Sequence, residues 1–332
     1  MGANVADNIF TTTSDPFIAL FIGVFSTVLF QSSSTTTSLI VAMVSSGSLG
    51  LAGAVPMIMG ANIGTTVTNT IVSMGHINRG NEFKRAFAAS TVHDFFNILA
   101  VIILFPLEIM FHGIQKTSEW IASLIFGRID NVDVLQAKSP IKAAVKSGAK
   151  FIEQFSFDND IVYLVLSVVV TFIMLYSLVK LLRSLVLEKI EVFFDQYIFK
   201  TVMRAIGFGI VLTIMVQSSS ITTSLVVPLA GAGVLSLRQI FPFTLGANIG
   251  TTVTALLAAL TGTVSALIAA ISHLLFNIFG FLIIYGTPFL RAIPLKLAEM
   301  IAEYSLNNKF IPIGYLLIVF VVIPLTIIFL GN

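Results

Sequence analysis

Long stretches without a single charged residue are the feature that most constrains this chain. No Asp, Glu, Lys or Arg occurs in residues 17–75, 205–237 or 239–290. Charged residues make up 10% of the 332-residue chain, whereas soluble domains carry about 25%. So little charge cannot cover a water-exposed surface, and most of the surface must face lipid. The sequence therefore predicts an all-α integral membrane protein and excludes a soluble fold.

Apolar spans of about 20 residues are needed for a helix to cross the hydrocarbon core. Such spans are predicted at residues 86–107, 161–182, 264–285 and 310–330. Two further spans, 51–74 and 237–260, are long enough but carry Gly-Ala-Asn-Ile-Gly-Thr-Thr in the middle. Glycine destabilises a helix, and Asn and Thr side chains compete for backbone hydrogen bonds. We therefore expect about six crossings, of which these two are helices broken near mid-membrane.

Two pairs of shorter apolar segments flank serine-rich sequences. Residues 17–30 and 35–44 surround Gln31-Ser-Ser-Ser, and residues 203–216 and 221–230 surround Gln217-Ser-Ser-Ser. Each arm is too short to span a bilayer, so each pair is predicted to form a re-entrant helical hairpin. Non-helical backbone at membrane depth needs surrounding protein or a water-filled cavity. The polar tips therefore predict a cavity.

These motifs define an internal repeat. The Gln-Ser-Ser-Ser sequence occurs in both halves, and Gly60-Ala-Asn-Ile-Gly-Thr-Thr-Val-Thr returns unchanged from Gly246. A His and an Asn four residues apart also recur, at 93 and 97 and at 273 and 277. Three predicted crossings separate the two hairpins, and an odd number turns the second half upside down. Inverted repeats with broken helices near the midplane are typical of secondary transporters.

The repeat divides the chain into four predicted regions. These are repeat 1 in residues 1–110 (hairpin 17–47, broken helix 51–75, helix 86–107), an extracellular segment with a connecting transmembrane helix in 111–200 (helix 161–182), inverted repeat 2 in 201–290, and an interfacial segment with a C-terminal transmembrane helix in 291–332. Because basic loops favour the cytoplasm, we expect loop 79–85 inside a plasma membrane and segment 108–160 outside. An apolar scaffold face that includes helix 161–182 is compatible with a homodimer.

Composition also limits the partners. The net charge of +2 is too small and too dispersed for nucleic-acid binding. Cysteine is absent, which excludes disulfides and thiolate metal sites. The bilayer is the expected surrounding, and no cofactor is expected.

The serine-rich tips have the chemistry of an anion site. Hydroxyl groups beside the free backbone N–H groups of a helix N-terminus bind anions. Two such tips facing each other could surround a small tetrahedral oxyanion. Since no Lys or Arg lies near the tips, bound cations must supply the countercharge. The candidate anion-binding residues are Gln31, Ser32, Ser33, Ser34, Gln217, Ser218, Ser219 and Ser220.

The broken helices offer oxygen ligands for a small alkali cation such as sodium. Asn and Thr oxygens and freed backbone carbonyls suit such an ion. Asp94 is the only acid embedded in an apolar span, and an intramembrane carboxylate is a functional candidate by default. The candidate cation ligands are Asn62, Thr65, Thr66, Asp94, Asn97, Asn248, Thr251, Thr252 and Asn277.

Each motif also has a purely structural interpretation. Ser and Thr in membrane helices often hydrogen-bond to the preceding turn, and small residues allow close helix packing. The Gly-Ala-Asn-Ile-Gly sequence could be such a packing site. His93 and His273 are expected to be structural hydrogen-bonding groups, and Asp94 could matter only for folding.

The motifs together resemble the type II sodium-dependent phosphate cotransporters. The resemblance rests on the doubled Gln-Ser-Ser-Ser motif, on Gly60–Thr70, on 85–97, and on 217–225, 246–257 and 273–277. It implies phosphate import driven by the sodium gradient, with phosphate between the two tips and sodium near the broken helices. It further implies net charge movement, because the family's electrogenic members carry an acid at the position of Asp94. A further membrane helix before the first hairpin is also implied, which residues 1–16 cannot supply, so we expect a truncated chain or a shorter bacterial form.

Three other functions stay open at this point. The first is a sodium-coupled carrier of sulfate or a dicarboxylate, although a dicarboxylate would favour a fixed Arg. The second is an intramembrane serine hydrolase using Ser33 or Ser219 with His93 or His273, which lacks a nucleophile-elbow pattern. The third is an anion channel without a sodium requirement. A transporter that is not an enzyme is the favoured interpretation.

Overall fold

A computed structural model describes residues 13–126, 198–260 and 262–331, together with residues 154, 155, 162 and 166. The three long ranges belong to one compact unit, 1–130 with 191–332. Of the second unit, 131–190, the structure describes only the four isolated residues. The predicted helix 161–182 and most of the predicted extracellular segment therefore lie outside the described residues.

The described residues of the first half form six helices. They are α1 (Pro16–Phe30), α2 (Ser33–Ser45), α3 (Leu51–Gly64), α4 (Val67–Met74), α5 (Asn81–Phe111) and α6 (Gly113–Phe126). Helix α1 begins at a proline, and the Asp15 carboxylate accepts hydrogen bonds from the Phe17 and Ile18 amides at 2.7 and 3.2 Å. This is a typical N-cap followed by a proline in the first turn. It fixes where the first apolar arm begins.

In the second half, the described residues form seven helices and two π-helical turns. They are α7 (Val202–Val216), α8 (Ser219–Ala232), α9 (Leu237–Ala259), α10 (Val264–Gly280) with the π-helical turn Phe281–Tyr285, α11 (Pro288–Asn307), α12 (Phe310–Leu317) with the π-helical turn Ile318–Val322, and α13 (Ile323–Leu330). All regular structure in the described ranges is helical. The all-α prediction is confirmed there.

Within the described ranges, five helices or helix pairs are long and apolar enough to cross a membrane. They are Leu51–Met74, Asn81–Phe111, Leu237–Ala259, Val264–Tyr285 and Phe310–Leu330. The helix predicted at 86–107 is longer at both ends, and it contains Glu108, which was assigned to the following segment. The Glu108 carboxylate accepts hydrogen bonds from the Ile114 and Gln115 amides and so caps the next helix.

The break predicted in the second half is wrong, because α9 is continuous through Gly-Ala-Asn-Ile-Gly-Thr-Thr. The same sequence in the first half is interrupted at Thr65 and Thr66, between α3 and α4. Two differences account for this. After the motif, α9 continues with Ala255-Leu-Leu-Ala-Ala, which favours a helix more than Asn69-Thr70 does. In addition, a serine hydroxyl from α8 is bonded to the Thr65 carbonyl at the interruption.

Glycines bring equivalent helices together in both halves. Helix α1 packs on α3, and α7 packs on α9. A methyl group at Gly60 or at Gly246 would collide with the backbone carbonyl of Leu20 or Ile206, respectively. These glycines therefore do allow close packing, as small residues do in membrane helices. Beyond these pairs the halves interlock: α2 packs against α9 and α10, and α8 packs against α4 and α5.

Candidate functional site

Both serine-rich tips have the same backbone geometry. Gln31 and Gln217 are left-handed, with φ of 52° and 58°. Ser32 and Ser218 are the N-caps of α2 and α8, and each hydroxyl accepts a hydrogen bond from the amide three residues later, at 3.2 and 3.3 Å. A left-handed conformation is unfavourable for a residue other than glycine and often marks a functional position. The surrounding structure must therefore hold each tip.

The glutamine side chains hold the tips in this conformation. Gln31 and Gln217 each donate from Nε2 to the carbonyl three residues earlier, at 2.6 Å in both. Their Oε1 atoms accept hydrogen bonds from the Thr68 and Thr254 hydroxyls, at 2.9 and 3.1 Å. Each tip is thus bonded to the motif-bearing helices of its own half. These glutamines orient the tip, a role that the sequence did not distinguish from anion binding.

The last two serines of each tip are buried. Ser33, Ser34, Ser219 and Ser220 are at most 6% exposed. The Ser220 hydroxyl donates to the Thr65 carbonyl at 3.0 Å. Its counterpart, the Ser34 hydroxyl, makes no hydrogen bond with any described residue. Two tips of identical local geometry therefore differ in their long-range contacts.

A buried polar network joins the two halves. His93 Nε2 lies 2.6 Å from Asn248 Oδ1. Asn248 Nδ2 donates to Asn97 Oδ1 at 2.8 Å, and Asn97 Nδ2 donates to the Asn62 carbonyl at 2.7 Å. The structure therefore brings three of the predicted cation ligands together. It also gives His93 the structural role that was expected.

The other candidate cation ligands make local hydrogen bonds. The hydroxyls of Thr65, Thr66, Thr251 and Thr252 donate to carbonyls three or four residues earlier. Such bonds use the proton but leave an oxygen lone pair for an ion. Asn277 donates to the His273 carbonyl, while its Oδ1 is buried without a hydrogen bond among the described residues. This asparagine is not part of the network that joins the halves.

Asp94 lies fully buried in α5. Its Oδ2 accepts a hydrogen bond from the Tyr315 hydroxyl at 2.9 Å, and its Oδ1 has no hydrogen-bond partner in the described part of the chain. Thr66, at the interruption between α3 and α4, interacts with the same carboxylate. The buried acid and the helix interruption therefore meet, as expected for a cation site.

Two polar side chains make buried long-range contacts that the sequence did not predict. The Asn69 side chain bonds to the Thr223 and Ser224 hydroxyls of α8, each at 2.8 Å. A signal for Asn69 was present, since its repeat counterpart is Ala255 and the pair breaks the symmetry of the repeat. Tyr315 carries no comparable signal, because it lies in an ordinary apolar span.

The fold and the site define a class: a helical membrane protein with a duplicated polar centre. A family model described as Na+/Pi-cotransporter matches residues 1–127 and 172–287. The chain belongs to this family.

Sodium-dependent phosphate transport proteins of mammals are similar to nearly the whole chain. The human sodium-dependent phosphate transport protein 2B is 32% identical, covering 98% of this chain and 61% of the relative. The rat protein 2A is 34% identical, covering 97% and 62%. The chain thus spans about three fifths of the length of the curated relatives it matches. No solved structure matches.

Proposed function

We propose that this chain imports inorganic phosphate across the plasma membrane, driven by the sodium gradient. The observation that carries the proposal is the pair of Gln-Ser-Ser-Ser tips, each folded as a left-handed glutamine before a buried helix N-terminus. Family membership and the names of the relatives support it. Sodium acts as co-substrate in this proposal, and no other cofactor is needed.

Phosphate binding is proposed at the two tips. The first-turn amides of α2 and α8 have no acceptor within their own helix. Together with the hydroxyls of Ser33, Ser34, Ser219 and Ser220, they can donate to several oxygens of one tetrahedral anion. No basic residue occurs in 17–75, 205–237 or 239–290, so cations must balance the anion. This requirement couples phosphate to sodium.

Sodium binding is proposed at the interruption between α3 and α4. Asp94 supplies a negative charge, and Thr66 supplies a hydroxyl beside a break in the helix. Carbonyls freed at such a break coordinate sodium in transporters with discontinuous helices. Electrogenic transport, as the family resemblance implies for a chain with Asp94, is part of this proposal.

Transport is proposed to follow an alternating-access mechanism, in which the two repeats exchange conformations. With re-entrant hairpins and inverted repeats, the halves would occupy equivalent environments in opposite conformations. The asymmetry supports this idea, because Ser220 is bonded to Thr65 at a broken helix whereas Ser34 has no such bond and α9 is unbroken. In the other state, Ser34 would bond to the Thr251 carbonyl and α9 would open there.

Loop 79–85 is proposed to face the cytoplasm and segment 108–160 the outside, and a homodimer is compatible with the proposal.

The hydrolase alternative is not favoured. It requires a serine beside a histidine, but His93 is bonded to Asn248. The ring nitrogens of His273 make no hydrogen bond with a described residue. Labelling of Ser33 or Ser219 by a fluorophosphonate would reverse this conclusion.

The test is uptake of radiolabelled phosphate by proteoliposomes that contain the full chain. An inward sodium gradient should drive uptake, while an equal potassium gradient should not. Arsenate should compete and sulfate should not. Equal uptake in potassium would indicate a channel or uniporter, and competition by sulfate or a dicarboxylate would indicate a different anion. Loss of uptake in Ser33→Ala or Ser219→Ala would support the tips as the phosphate site.

A further inference from the structure

Asp94 has an incomplete set of partners for a buried carboxylate. The residue is 0% exposed, and its Oδ2 accepts a hydrogen bond from the Tyr315 hydroxyl at 2.9 Å. Its Oδ1 has no hydrogen bond with any residue that the structure describes. Burying a charged group without partners is costly, and an ionisable residue inside the membrane is retained for function. A ligand is therefore expected at Oδ1.

Tyr315 reaches this carboxylate from the edge of the protein. Its span, Phe310–Leu330, is 11% buried, the least of the five candidate spans in the described ranges. The tyrosine ring nevertheless packs against Phe320, Phe95 and Phe87, with centroids 5.8, 6.0 and 6.5 Å away. A π-helical turn, Ile318–Val322, begins three residues later, and such turns are frequent at functional sites. The ring is thus held so that its hydroxyl points at Asp94.

We propose that Tyr315 is a positioning residue of the alkali-cation site at Asp94. Its hydroxyl holds Oδ2 in place, which leaves Oδ1 as the cation ligand. A carboxylate fixed in one orientation loses less freedom when it binds an ion, so the site is preorganised. Tyr315 lies beyond the residues that the family model matches. The proposal rests on the proposed sodium-coupled function and adds a residue to it.

A purely structural role predicts different behaviour. If Tyr315 only supplied a hydrogen bond to a buried acid, removing its hydroxyl would lower the stability of the protein without changing its affinity for sodium. The two roles are separated by Tyr315→Phe, which keeps the ring contacts and removes only the hydroxyl. Tyr285→Phe is the matched control, because Tyr285 also packs between phenylalanines, with centroids 5.6 and 5.7 Å away, in a membrane-spanning helix.

Sodium binding is measured directly with ²²Na⁺ on the purified full chain. The sodium dependence of phosphate uptake is measured at a fixed phosphate concentration. We expect Tyr315→Phe to weaken sodium affinity roughly tenfold, the equivalent of one hydrogen bond to a charged group. Phosphate affinity at saturating sodium should stay within about twofold. Tyr285→Phe should match the wild type. Unchanged sodium affinity in Tyr315→Phe would overturn the proposal, as would an equal loss of sodium and phosphate affinity.

A second measurement covers the case in which Tyr315→Phe does not fold. Fluorotyrosine at position 315 keeps the hydroxyl, and its ¹⁹F resonance should shift on titration with sodium but not with potassium. If the ¹⁹F chemical shift did not change at sodium concentrations that saturate ²²Na⁺ binding, the proposal would be overturned. Failure of the proposed function looks different, since the wild type would then show no sodium-driven phosphate uptake. The ²²Na⁺ comparison of the variants would still decide the role of Tyr315.

Discussion

Removing the Ser220 hydroxyl tests the asymmetry between the two repeats. This group is 3% exposed and donates to the Thr65 carbonyl at 3.0 Å, where the helix is interrupted. Loss of the donor leaves a buried carbonyl without this partner, which costs about 1–3 kcal/mol. Ser34→Ala is the matched control because Ser34 has the same position in the repeat and is also buried, but its hydroxyl makes no hydrogen bond among the described residues. It should change the free energy of unfolding by less than about 0.5 kcal/mol.

The assay is thermal unfolding of the two purified variants, followed by the helical circular dichroism signal. Sodium and phosphate are left out, so that ligand binding does not contribute to stability. For large domains, about 1 kcal/mol shifts the melting temperature by roughly 2–4 °C. We therefore expect Ser220→Ala to melt a few degrees below Ser34→Ala. Equal melting temperatures, or a larger loss in Ser34→Ala, would refute the reasoning from long-range hydrogen bonds.

Three further substitutions test the packing of α7 on α9, the C-terminal end of α8 and the first tip. Gly246→Ala should destabilise the protein by about 1–3 kcal/mol in the same thermal assay, because the new methyl group collides with the Ile206 carbonyl. Arg85→Ala should cost about 1–3 kcal/mol, because the guanidinium Nε donates to carbonyls at the end of α8, including that of Gly231 at 2.9 Å. Thr68→Val should weaken phosphate affinity about fivefold in uptake assays, because the Gln31 side chain loses a 2.9 Å hydrogen bond that holds the tip.

Each of these has a control within the chain. Gly314→Ala adds a methyl group that meets no described atom outside the adjacent helix backbone within 4 Å, so it should not destabilise the helix. Arg79→Ala removes an exposed ion pair with Glu82, worth less than about 1 kcal/mol. Thr254→Val should repeat the effect of Thr68→Val in the other tip. If Gly314→Ala or Arg79→Ala behaved like its test variant, or if Thr254→Val left phosphate affinity unchanged, the corresponding explanation would fail.

Local sequence was enough to locate the five candidate spans of the described ranges and the two tips. The absence of charge and the length of apolar runs predicted the candidate spans, because both are properties of consecutive residues. The doubled motif predicted two equivalent turns, and Gln31 and Gln217 do share one left-handed geometry. The repeat also indicated which polar residues would gather, and Asn62, Asn97 and Asn248 are joined by hydrogen bonds.

Only the tertiary structure decided where equal sequences behave differently. One Gly-Ala-Asn-Ile-Gly-Thr-Thr copy is interrupted and the other is continuous. The hydrogen bond from Ser220 to Thr65 joins residues 155 positions apart, and Tyr315 reaches Asp94 across 221 positions. No local pattern encodes such a contact, because it depends on which helices pack together. The sequence by itself therefore determined the class and the candidate residues, while packing decided which of them are bonded and which remain available to a ligand.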